Sequence, residues 1–220
     1  MAVRNTLQYL LIRSLKISKK QAKEILESGQ IILNKSPVYE NRYFEKTDHV
    51  EYQNQLLFEP FKSIKVLYYK PRGVECTMNA NIPNNLAENL AELPRLFPIG
   101  RLDKESEGLL LLTNDGKLYR ELNHYDSDVE KEYLVQVNNP IDDHFLEQMS
   151  SGVEIMGKTT LPCIVEKIDT NTFSIILKQG LNRQIRRMCY KLGYEVTSLK
   201  RIRIGQYQLN ALQVGEWKII

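Results

Sequence analysis

The segment Gly100–Gly116, GRLDKESEGLLLLTNDG, sets one carboxylate, Asp103, next to Arg101 in a polar turn just ahead of four leucines, Leu109–Leu112. A buried strand built from those leucines would hold the turn rigidly, and a rigid turn is where a lone reactive carboxylate can be aimed. The plainer alternative is that Asp103 caps the turn KESEG, as most loop aspartates do. A carboxylate-based hydrolase would call for a second acid or a metal at the site. The nearby candidates are Glu105 and Glu107.

The elements that must hold such a turn come from a chain of 220 residues, enough for one large domain or for a domain plus a small module. With 42% hydrophobic and 26% charged residues the composition is that of a soluble globular protein. No apolar run approaches the roughly 18 residues of a membrane helix, and the N-terminal stretch is too interrupted for a secretory signal. Cys76, Cys163 and Cys189 are scattered, without a CxxC pair, and the three histidines are dispersed too. That spacing argues against a metal site or a disulfide framework and fits a reducing cytoplasm.

A net charge of +3 does not announce a nucleic-acid partner, but its distribution does more. Residues 1–23 carry six basic side chains and no acidic one, and residues 178–203 carry eight against Glu195 alone. Each stretch could be a solvated helix face. Two of them in a nearly neutral chain suggest two phosphate-facing surfaces.

Along the first sixty residues, Leu7, Leu10, Leu11 and Ile12 give one apolar helical face. Ser18 then caps a second helix, KKQAKEILESG, that stops at Gly29 with Ala22, Ile25 and Leu26 inward and Lys19, Lys20 and Lys23 outward. Short strands at Ile31–Leu33 and His49–Tyr52 complete a helix-helix-hairpin unit. Residues Ser18 to Ala22, Glu27 to Gly29 and Ile31 to Asn34 resemble the S4 RNA-binding module, in which a basic helix and the adjoining hairpin grip folded RNA. Lysines stand here where that module has arginines, which weakens bidentate phosphate contacts, and Lys35 stands where it has glycine.

The expected division is residues 1–58 for this module, 59–64 for a linker containing Pro60, and 65–220 for a second domain. Strands are expected at Lys65–Tyr69, Leu109–Thr113, Tyr133–Val137, Cys163–Lys167, Phe173–Leu177 and Val196–Ile204. Helices are expected through Leu86, Leu90 and Leu93, from Asp142 to Gly152, and over Gln184–Leu192. The last is amphipathic, with Ile185, Met188, Cys189 and Leu192 inward. Many strands and few helices, not strictly alternating, predict an α+β fold around a large, mostly antiparallel mixed sheet with flanking helices.

Four stretches occur in order between Lys70 and Met188: KPRGV, GRLDKESEGLLLLTNDG, EKEYLVQV and QGLNRQIRRM. Together they resemble the RsuA/RluB/RluE/RluF family of ribosomal RNA pseudouridine synthases, over essentially the whole chain. The runs SSGVEIMGKTT and GLNRQIRRMCYKLGYEV are most similar to the RluF branch. The resemblance implies a cofactor-free, metal-free isomerisation of uridine to pseudouridine, in 23S ribosomal RNA first. The same chemistry on 16S ribosomal RNA or a tRNA anticodon arm is the nearest alternative, and a non-catalytic ribosome-assembly factor the more distant one. A monomer acting in the cytoplasm is expected.

By the same resemblance Asp103 matches the nucleophilic aspartate, and Arg186 the arginine that holds that carboxylate charged and oriented. Tyr133 matches the tyrosine that lies against the target base, where a core strand tyrosine is the alternative. Arg101 would stack in the gap left by the flipped uridine, or else merely pair with Asp103 or Glu105. Ile185 would form part of the apolar wall around uracil, or serve the core. Arg183, Arg187, Arg201 and Arg203 are expected to position RNA through its phosphates. Lys70 would do so too, unless it simply ends a strand with its charge in water.

Overall fold

The computed structural model describes residues 5–123 and 129–220. The chain divides into two compact units, Met1–Lys62 and Ser63–Ile220.

The first unit opens with α1 (Leu7–Leu15), whose N-cap Thr6 hydroxyl accepts from the Tyr9 amide, and α2 (Lys19–Glu27). Ser18 and Gln21 form a reciprocal capping box at the start of α2, and Gly29 (φ +69°) ends it in the left-handed region. The expected hairpin is a four-stranded sheet, β1 (Ile31–Leu33), β2 (Ser36–Val38), β3 (Val50–Tyr52) and β4 (Gln55–Phe58), in the order β2-β1-β3-β4. The turn joining β1 to β2 places Asn34 and Lys35 at φ +50° and +70°. This is the backbone of a tight two-residue hairpin loop, so the position usually held by glycine keeps its left-handed geometry with lysine in it. Leu7, Leu11, Ala22, Leu26 and Ile31 close the core under the sheet.

The second unit contains β5 (Lys65–Lys70), α3 (Leu86–Asn89), β6 (Phe97–Ile99), β7 (Glu107–Thr113), α4 (Gly116–Asn123) and β8 (Lys131–Val137). It continues with α5 (Asp143–Ser151), the short hairpin β9 (Glu154–Ile155) and β10 (Lys158–Thr159), β11 (Ile164–Lys167) and β12 (Thr172–Leu177). Last come α6 (Gln184–Lys191), β13 (Val196–Ile204), β14 (Tyr207–Gln208) and β15 (Trp217–Ile219). The main sheet runs β11-β12-β8-β13-β7-β5-β15, with β6 paired to β7 and β14 to β13. Pairing is antiparallel except between β13 and β7. The fold is therefore α+β with a large mixed sheet.

Strand β7 shows why four leucines run together. Leu110 and Leu112 pack into one apolar cluster, Leu109 and Leu111 into another, and all four are completely buried. A strand covered on both faces needs no polar alternation. Gly108 lies at the start of this strand with φ +106°, and a Cβ there would stand 2.3 Å from the Arg201 carbonyl oxygen. Only glycine allows β7 and β13 to approach at that point. The cores of α5 and α6 form against β8, β12 and β13, so α6 is fixed by Ile185, Met188 and Cys189 beneath it.

Candidate active site

The turn between β6 and β7 carries Asp103. It is closed by the main chain, since the Ser106 amide donates to the Asp103 carbonyl at 3.0 Å. The Asp103 carboxylate takes no part in that turn; its ion-pair partner among the described residues is Arg183, whose Nη1 lies 3.7 Å from Oδ2. The side chain is about a third exposed (30%) and lines a cavity of about 1200 Å³. The capping alternative therefore does not describe this aspartate.

The turn is fastened from three sides. The Gly73 amide donates to the Lys104 carbonyl at 2.8 Å, while Arg72 and Glu105, and Lys104 and Glu75, form peripheral ion pairs at 3.6 and 3.8 Å. From α6, Arg186 donates through Nη2 to the Glu105 carbonyl at 3.0 Å and to Ser106 Oγ at 3.4 Å, and through Nη1 to the Val196 carbonyl at 3.1 Å. From β13, Arg201 donates through Nε to the Leu109 carbonyl at 2.8 Å and through Nη1 to the Arg101 carbonyl at 3.4 Å. Two arginines thus clamp the backbone on both sides of Asp103.

Sequence reasoning brought Arg186 to the right place with a different task. Its Nη1 and Nη2 donate to main-chain carbonyls and to Ser106 Oγ, its buried Nε has no hydrogen-bond partner among the described residues, and Asp103 acts on it through space, without a direct ion pair. Burial holds the Arg186 pKa below the ordinary arginine value, with Arg183 pushing the same way and Asp103 opposing. The direct cation beside the carboxylate is Arg183. It was expected to be a phosphate contact, and the only local hint of its special place is its left-handed backbone (φ +52°) at the N-cap of α6. Such a conformation in a non-glycine residue is uncommon and concentrates at functional sites.

Around the same cavity stand Arg101, Tyr133, Ile185 and Leu199. Arg101 is exposed and forms no ion pair with Asp103 or Glu105 among the described residues, so its head group is available at the rim. Tyr133 is half-buried in the middle of β8, paired across to Ile175 and Arg201. Ile185 is 4% exposed and serves both the wall and the core. Lys131 was not singled out from the sequence. It lines the cavity, donates to the Val129 carbonyl at 3.1 Å, and is held below the ordinary lysine pKa, first by burial and then by Arg201.

Three expected phosphate contacts are corrected. Lys70 is wholly buried, and its Nζ donates to the Pro71 and Val74 carbonyls at 2.8 Å each, tying down the KPRGV turn that supports Lys104. Arg201 is 2% exposed and acts as the buried clamp just described. Arg203 is neutralised by Glu132 at 2.7 Å and Glu130 at 3.1 Å, which raise its pKa. Arg187 remains exposed, holding the Asn182 carbonyl and side chain. In the first unit Lys19, Lys20 and Lys23 are all exposed on α2, with Lys23 paired to Glu27 at 3.5 Å.

Among the described residues no group of three or more potential metal ligands is found, and no helix is long and apolar enough to cross a membrane.

The geometry has relatives. Residues 64–191 match the family model described as RNA pseudouridylate synthase. The dual-specificity RNA pseudouridine synthase RluF of Escherichia coli K12 is 40% identical over 204 residues, covering 91% of this chain and 70% of the relative. Ribosomal large subunit pseudouridine synthase B of Bacillus subtilis is 30% identical over 90% of this chain and 85% of its own length. A crystal structure of a pseudouridylate synthase superimposes with a TM-score of 0.67 at 25% identity, over 98% of this chain and 95% of that one.

Proposed function

From a chain that belongs to the RNA pseudouridylate synthase family, on its RluF branch, we propose an isomerase for one uridine of 23S ribosomal RNA with Asp103 as nucleophile. The observation that carries this reading is the Asp103 carboxylate, left out of its own turn and standing beside Arg183 in a cavity walled by Tyr133 and Ile185. A carboxylate so placed has a cation facing it and keeps its aim because the backbone on either side is clamped.

The chemistry follows from the atoms. The ribose–N1 bond breaks, the uracil turns, and a ribose–C5 bond forms; C5 gives up its proton and N1 gains one. Every atom is conserved, so no cofactor is consumed. Attack of Asp103 on the sugar or on the base leads to the same product. Tyr133 offers a flat ring for the uracil and a hydroxyl for the C5 proton. Arg101, exposed at the rim, fills the stack from which the uridine has turned out.

The first unit is the S4-type module that delivers the RNA, with Lys19, Lys20 and Lys23 of α2 against phosphate. A second RNA substrate, a tRNA anticodon arm, is favoured by the dual specificity named for RluF. A ribosomal substrate goes with a monomer working in the cytoplasm. The test is pseudouridine mapping of total RNA from cells carrying wild-type protein, Asp103→Asn, or none. One uridine should be converted with wild type and remain unmodified with Asp103→Asn. Wild-type modification by Asp103→Asn would remove the nucleophile assignment.

A further inference from the structure

Beside the Asp103 cavity lies a second groove, of about 580 Å³, between α6 and the β9–β10 hairpin. The two hollows meet at Arg183, which lines both. Along the floor of the groove, α6 presents Arg187, Tyr190 and Lys191, at i+4, i+7 and i+8 from Arg183, a spacing that makes one stripe on a helix. Tyr190 is 81% exposed, the most open of the large hydrophobic side chains among the described residues, and Met156 of the facing hairpin turn is 64% exposed. Four cations and two carboxylates, Glu154 and Glu195, line the groove, leaving it net positive.

We propose that this groove binds the unpaired RNA next to the target uridine, with a base stacked on Tyr190 and the adjoining phosphates held by Arg187 and Lys191. The proposal rests on the reading of Asp103 as the centre of a pseudouridine synthase. A helix rises about 1.5 Å per residue, so the stripe runs about 12 Å from Arg183 to Lys191. A stacked strand advances about 3.4 Å per nucleotide, which gives room for roughly three. A uridine pulled into the Asp103 cavity drags its neighbours out of helical order, and they leave past Arg183, where the two hollows meet, along the basic face of α6. An exposed aromatic ring flanked by cations is the arrangement that holds single strands without regard to sequence. The charge favours RNA over an acidic peptide of the same length only through the ring, which every base can stack on; that makes Tyr190 the residue to test.

The full-length protein is titrated with a 23S ribosomal RNA transcript by filter binding, and pseudouridine formation is followed on the same transcript. Tyr190→Ala should raise both Kd and KM at least about fivefold while kcat stays close to wild type, and Tyr190→Phe should restore both constants. Lys191→Gln should make the dependence of affinity on salt shallower by about one unit of slope or slightly less. Unchanged Kd and KM in Tyr190→Ala would assign the groove to something other than RNA and overturn the proposal. Equal losses in the Ala and Phe variants would overturn stacking as its basis. Failure of the underlying reading looks different: wild type would then make no pseudouridine, whatever the binding constants do.

Discussion

At the scale of single residues, the arginines around Asp103 divide the labour between charge and scaffold. Arg183 is 43% exposed and gives the carboxylate its direct counter-charge; Arg186 spends its donors on the Glu105 and Val196 carbonyls. Arg183→Gln should therefore slow pseudouridine formation by about tenfold or more while leaving thermal stability nearly unchanged, because exposed ion pairs add at most about 1 kcal/mol. Arg186→Lys should lower both. An ammonium cannot span two carbonyls in fork geometry, and each acceptor left unpaired out of water costs about 1–3 kcal/mol. Calorimetry and initial rates on the two variants check the division; equal thermal losses would mean that Arg183 is also scaffold. The family resemblance, not local spacing, singled out Asp103, Tyr133 and Arg186; the structure puts Asp103 and Tyr133 on one cavity and Arg186 behind the turn that carries Asp103. The burial of Arg201 was not legible in the sequence. Strand β13 has a register shift between Arg201 and Arg203, so period-two alternation reads both arginines as one face when one is buried and the other half-open. Lys70 misled for a simpler reason: residue type alone cannot tell a lysine in water from one folded back onto its own turn.

At the scale of elements, the ends of helices were read well because capping is local chemistry. Ser18, Asp142 and Gly152 stand where expected, at the start of α2 and the two ends of α5. Strands of two or three residues such as β2, β6 and β9 escaped, since so short a run carries no periodicity and exists only because a neighbouring strand pairs with it. The β1–β2 turn depends on such tertiary help. Asn34 accepts from the His49 amide at 2.9 Å and donates to Asp48 at 2.7 Å, holding a left-handed pair that Lys35 would otherwise disfavour. Hydrogen bonds from the Glu45 amide and from Asn34 hold the Asp48 pKa below the ordinary carboxylate value. The unfolded chain thus takes up the proton first as pH falls. The contribution of Asp48 is complete above its unfolded pKa and is lost as pH drops through the lowered one. Acid titration of unfolding should show wild type losing stability across that window, and Asp48→Asn should flatten the dependence. A slope identical in both proteins would locate the acid sensitivity elsewhere.

At the scale of the whole molecule, each unit owns a core: Leu7, Leu11, Ala22 and Leu26 in the first, and three separate clusters in the second. The chemistry proposed for Asp103 draws all its residues from the second unit, whereas the exposed lysines of α2 belong to the first. Capture and catalysis should then separate on cutting the chain at Ser63. The 63–220 fragment should fold, give a cooperative melt, and convert its uridine at a near-wild-type rate once RNA is saturating. Its affinity should fall, and its salt dependence should become shallower, because each phosphate no longer neutralised by the protein takes about 0.7–0.9 from the slope of log affinity against log salt. Removing Lys19, Lys20 and Lys23 would take about two to three from that slope if all three engage phosphate. Binding isotherms of the full chain and the fragment at several salt concentrations decide it. An unchanged slope would mean that the lysines of α2 face solvent in the complex and that the basic surface of the second unit captures the RNA by itself.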